Sequence, residues 1–95
     1  MVKGELKSLR ITLEAVETGI LGYVYLKEIA PGEVAKTVSV EPSVMADYDR
    51  EGHLIGVEFL NARLADMNFM RALAGKLNCP ELNGIDLAEM CKTAA

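Results

Sequence analysis

The stretch from Val44 to Leu60 constrains the fold more than any other part of the chain. Two apolar segments, Val44 to Tyr48 and Leu54 to Leu60, flank Asp49-Arg50-Glu51-Gly52. A glycine closing a short polar run between such segments marks a β-hairpin, because glycine adopts the positive φ of the turn at no steric cost. With residues 49 to 52 as a four-residue loop, Tyr48 faces His53, Ala46 faces Ile55 and Val44 faces Val57. That register gathers apolar side chains on one side and sends Asp47 and Glu58 to the other. A slip of one residue sets Asp47 opposite Ile55 and Glu58 opposite Val44, so the pattern selects the four-residue loop.

Extended structure is expected upstream of the hairpin as well. Arg10 to Ala15 alternates through Ile11, Leu13 and Ala15, the period of a half-buried strand. Ile20 to Ile29 is rich in β-formers and runs to the turn dipeptide Pro31-Gly32. Val34 to Val40 alternates again, with Val34, Val38 and Val40 to one side and Thr37, Ser39 and Glu41 to the other; Pro42 marks a bend, an edge or the end of that strand. The period changes after Leu60. Leu64, Met67, Met70, Leu73 and Leu77 recur at three and four behind Asn61 as N-cap, which predicts an amphipathic helix ended by Cys79-Pro80. Asp86 with Glu89 three residues on is a capping-box pattern, so Leu87 to Lys92 reads as a short C-terminal helix. The expected fold is α+β: a meander-like antiparallel sheet of about five strands, an amphipathic helix packed on one face, and a short final helix. At 95 residues it is one domain, 1–95.

Composition bears on partners. Hydrophobic residues make up 51% of the chain and aromatics only 5%, more apolar side chains than so small a core hides, so a homodimer is expected. The net charge of −4 is concentrated in residues 31 to 60, where Lys36 and Arg50 stand against Glu33, Glu41, Asp47, Asp49, Glu51 and Glu58. No segment clusters Lys and Arg as phosphate binding needs, so no direct nucleic-acid partner is expected. A basic protein partner fits the charge better, and Glu41, Asp47, Asp49, Glu51 and Glu58 are the candidate interaction surface. No apolar run reaches the length of a membrane span, and Met1 to Leu21 interleaves charges where a signal peptide needs an unbroken apolar block, so a cytoplasmic protein without membrane contact is expected.

Catalytic and metal-binding patterns are thin. Counted from Asp47, acids fall at positions one, three, five and twelve of a calcium loop, with Gly52 at six and Leu54 at eight. An EF-hand loop lies between helices, however, and Val34 to Ala46 has no helical period. His53 is the only histidine, and Cys79 and Cys91 have neither a CxxC nor an HxxxH partner pattern, so no zinc site is expected; the two cysteines read as buried reduced thiols, although their separation permits a disulfide without predicting one. Ser8, Ser39 and Ser43 lie outside any nucleophile motif, and no glycine run forms a phosphate loop. No catalytic residue, cofactor or metal ligand is assigned.

Val38-Ser-Val-Glu-Pro-Ser-Val44, Asp47-Tyr-Asp-Arg-Glu-Gly52 and Leu54-Ile-Gly-Val-Glu-Phe-Leu-Asn-Ala62 together resemble the small bacterial family catalogued as domain of unknown function 2283. Its pattern runs V-x-V-D/E, then V-x-x-D-Y-D-x-x-G-x-x-x-G-I-E-I-L-x-A. Tyr23-Val-Tyr-Leu26 is similar to the family's L-Y-I-x-L strand, although the usual Y-D-x-x-x-D before it is replaced by Leu13-Glu-Ala-Val-Glu-Thr18. The resemblance runs over residues 8–62 and leaves 63–95 as a helical extension. It implies an α+β domain with an antiparallel sheet and no assigned activity. Each motif residue also has a structural reason: Gly52 closes the loop, Gly56 admits a close neighbour, and Asp49 accepts loop N–H groups. The leading expectation is a non-enzymatic protein-interaction domain that self-associates. Behind it stand an antitoxin-like acidic protein that binds a small basic ribonuclease and, last, a metal- or small-molecule-dependent enzyme.

Overall fold

The computed structural model describes residues 9–93; Ser8, the expected start of the family-like segment, lies outside them. Five antiparallel strands, β1 (Arg10–Val16), β2 (Gly19–Tyr25), β3 (Lys36–Glu41), β4 (Val44–Tyr48) and β5 (Leu54–Phe59), form one sheet in the order β1-β2-β5-β4-β3. The β1–β2 hairpin thus joins the β3–β4–β5 meander through β2 and β5, with Val24 opposite Val57. Helices α1 (Met67–Lys76) and α2 (Leu87–Thr93) follow, each preceded by a short 3-10 turn, Ala62–Leu64 and Pro80–Leu82. The α+β architecture expected from the sequence is the one observed.

Strand alternation places the core. Val24, Val57 and Ala46 are cross-strand neighbours on one face and are fully buried, and Val24 and Val57 belong to one core cluster with Met70 and Leu73 of α1, Leu82, and Leu87 and Cys91 of α2. Burying a side chain of this kind stabilises by about 1.5–3 kcal/mol. No polar side chain is buried among the described residues, so the core carries no desolvation penalty and the polar groups lie on the opposite face or at the rims.

The central hairpin differs from expectation in register. Ala46 stands opposite Val57 and Val44 opposite Phe59, while Tyr48 pairs with Leu54. Two local features produce the shift. Gly52 N–H donates to Asp49 O at 3.0 Å and Asp49 N–H to His53 O at 2.9 Å, which leaves a three-residue loop with Gly52 at φ +86°; Ile55 is then an extra residue on β5. Each displaces the pairing by one. The sum is two residues, the strand period, so the predicted faces survive although the predicted partners do not. A second bulge does change a face: Val40 is extra on β3, and Glu41 turns from the Thr37–Ser39 side toward α1, where its carboxylate accepts from Lys76 Nζ at 2.7 Å.

The amphipathic helix begins later than its periodicity suggests. Asn61 caps only the 3-10 turn, its side chain accepting from Arg63 N–H, and Leu64 is 61% exposed. The α-helix starts behind Asp66, whose carboxylate accepts from Phe69 N–H at 2.9 Å. Met67, expected in the buried stripe, is also exposed, while Met70 and Leu73 carry the contact. At α2 the predicted cap holds, with Asp86 accepting from Glu89 N–H at 2.9 Å.

Candidate functional site

The sheet face away from the helices is the open one, and two cross-strand rows cross it. Arg10, Tyr25, Gly56, Asp47 and Thr37 are successive partners across β1, β2, β5, β4 and β3, and beside them run Thr12, Tyr23, Glu58, Met45 and Ser39. Register therefore brings side chains from the whole length of the sheet onto one surface.

A chain of contacts links these rows. The Arg10 guanidinium lies 4.0 Å from the centre of the Tyr25 ring, within the range of a cation–π contact. The Tyr25 and Tyr23 rings are 4.5 Å apart and tilted by 50°. Tyr23 then leans over Gly56 and donates its hydroxyl to Asp47 Oδ2 at 2.6 Å, while Thr37 Oγ1 donates to Asp47 Oδ1, also at 2.6 Å. Only glycine permits this path, because a β-carbon at position 56 would sit 2.6 Å from Tyr23 Cε1 and closer still to its oxygen. Burial, and then the Asp47 carboxylate it faces, push the Tyr23 phenol well above the ordinary tyrosine range, so it remains a donor throughout the physiological range.

The five candidate carboxylates do not form one strip. Asp47 and Glu58 share the open face near Tyr23. Glu41 sits on the helix side with Lys76. Asp49 and Glu51 are in the hairpin loop beside His53, the ligand atoms of the three within 4.8 Å of one another. Asp49 is engaged in the loop itself, where Oδ1 accepts from Glu51 N–H at 3.0 Å and from His53 N–H at 2.8 Å; the His53 amide foremost holds this carboxyl below its usual range. The calcium-loop reading fails on this geometry, because its flanks are β4 and β5 and its first acid, Asp47, is committed to Tyr23 and Thr37.

A groove of about 440 Å³ between the hairpin and the end of α1 has both His53 and Cys79 on its lining, a juxtaposition not visible in the sequence. Both cysteines are free and buried. Burial foremost, then the Glu81 carboxylate that accepts a hydrogen bond from its S–H at 3.4 Å, raise the Cys79 thiol above its ordinary value, which makes it a poor nucleophile.

These features make the chain a small α+β domain with a one-sided antiparallel sheet whose bare face carries a Tyr–Asp–Thr network seated over a strand glycine. Residues 22–63 match the family model described as protein of unknown function (DUF2283), so the family likeness carried by the central motifs holds over that segment. It takes in every residue of the open-face chain except Arg10, and excludes β1 and both helices. No curated protein and no solved structure matches the chain.

Proposed function

We propose that this chain is a non-enzymatic, cytoplasmic protein-interaction domain that self-associates. The observation that supports it is the open sheet face. Tyr23, Tyr25 and Met45 lie half-buried there beside Arg10, and Tyr, Met and Arg are the side chains enriched where proteins meet. The Tyr23–Asp47–Thr37 network locks rotamers that a partner would otherwise have to order, so less entropy is lost on docking. Exposed Leu60, Leu64, Met67 and Met90 add apolar surface elsewhere. The buried free thiols accord with a reducing compartment, and no helix among the described residues is long and apolar enough to cross a membrane.

The antitoxin-like alternative draws less support, because Glu41, Asp47 and Asp49 already hold internal partners and only Asp47 and Glu58 share the sheet face. An enzyme would require activated groups in an enclosed site, and the raised thiol at Cys79 offers none. Sedimentation velocity of the full chain at micromolar concentration tests the proposal: a dimer is expected, and a monomer at every concentration removes self-association.

A further inference from the structure

We infer that two copies of this chain pair through β1, edge to edge and antiparallel about a two-fold axis at Thr12, to make one continuous ten-stranded sheet; the inference rests on the self-association reading and names its surface. The sheet has two outer strands, β1 and β3. The β3 edge is blunted by the bulge at Val40 and by Pro42 immediately beyond it, both devices that prevent a further strand from adding. β1 has neither. Its seven residues pair with β2 in unbroken register from Arg10 to Val16, and they contain no proline, so its outward N–H and C=O groups form a regular template.

The side chains select the register. With Thr12 on the axis, Arg10 stands opposite Glu14 of the second copy and Glu14 opposite its Arg10, while Ile11 faces Leu13 twice and Leu9 faces Ala15 twice. Opposite charges meet on the open face, where Arg10, Thr12 and Glu14 are exposed. Apolar meets apolar on the helix side, where Ile11 and Leu13 are only partly covered by the core. Moving the axis to Leu13 puts Arg10 opposite Val16 and Glu14 opposite Thr12; moving it to Ile11 puts Arg10 opposite Thr12 and carries Glu14 past the start of the strand. An axis between Thr12 and Leu13 sets Ile11 against Glu14, and one between Ile11 and Thr12 sets Arg10 against Leu13. Of these five registers only the one centred on Thr12 satisfies every position. Glu14 has no ion-pair partner among the described residues, whereas the Arg10 guanidinium already lies over the Tyr25 ring, which holds it at the edge where the second copy's carboxylate arrives.

The test is the dimer affinity of the full chain, measured by sedimentation at micromolar concentration. Glu14→Arg and Arg10→Glu each place like charges opposite at two symmetric positions and are expected to weaken the dimer by about tenfold or more; the combined exchange R10E/E14R restores it. Independently, Thr12→Cys, at an exposed site, is expected to cross-link two chains through position 12 when diamide oxidises the facing thiols, whereas Ser39→Cys near the opposite edge stays monomeric on denaturing gels. A wild-type chain that is monomeric throughout overturns both the self-association reading and this pairing. A wild-type dimer that neither charge variant weakens, and that T12C does not cross-link, overturns the pairing alone.

Discussion

Gly56→Ala tests whether the open-face network is a unit. The new β-carbon would lie 2.6 Å from Tyr23 Cε1, so the ring must swing off the strand, and its hydroxyl leaves Asp47 Oδ2. A part-buried hydrogen bond to a carboxylate contributes about 1.5 kcal/mol. Replacing a strand glycine by alanine returns about 0.5–1 kcal/mol, so the net loss is about 1 kcal/mol. Tyr23→Phe removes the same bond without moving the ring and is expected to cost about 1.5 kcal/mol. In the double variant the bond is already gone, and Tyr23→Phe then costs almost nothing, a coupling of about 1.5 kcal/mol. Urea unfolding followed by far-UV circular dichroism on the four proteins of this cycle supplies the numbers. Effects that add to within about 0.5 kcal/mol would refute the argument that Gly56 exists to seat Tyr23 on Asp47.

The same bond has a pH signature. The folded phenol titrates above the unfolded one, so its contribution is complete below the ordinary tyrosine value of about 10 and is lost as pH rises through the folded value; the stability difference between wild type and Y23F should stay constant up to about pH 10 and shrink above it. Asp49 works in the opposite direction: its carboxyl is lowered in the fold, so Asp49→Ala should lower the urea midpoint at neutral pH, and the difference should fade as acid protonates the wild-type group below about pH 4. Asp66→Ala should cost about 1 kcal/mol in thermal or urea unfolding, because it removes the cap of α1, whereas Asn61→Ala, which affects only a 3-10 turn, should cost less.

Local chemistry carried the fold a long way. Period two marked β1 and β3, a run of β-formers marked β2, which ends at Tyr25 and does not reach Ile29, and Gly52 marked the hairpin of β4 and β5. Asp86 gave the cap of α2. What failed depended on single inserted residues: neither Val40 nor Ile55 has a chemistry that marks it as a bulge, and without the bulges the partner of Ala46 and the face of Glu41 come out wrong. At α1 the periodicity of Leu64 and Met67 ran through Ala65-Asp66, where a better cap interrupts the helix. The open-face network was legible only in outline. Gly56 signalled a close approach, but Tyr23 and Asp47 are 24 residues apart and meet only because β5 lies between β2 and β4, an order that periodicity does not specify. The acidic residues stood out by charge and turned out to be scattered, because charge along a chain says nothing about which face a strand presents.

Amide hydrogen exchange along β1 tests self-association through this edge most directly. An edge strand bonded only to β2 protects alternate amides, whereas one paired on both sides protects successive ones. The predicted result is that the β1 amides that β2 leaves unbonded gain protection as the protein is concentrated, so that protection becomes continuous from Ile11 to Glu14. Protection that alternates along this segment and does not change with concentration would contradict it.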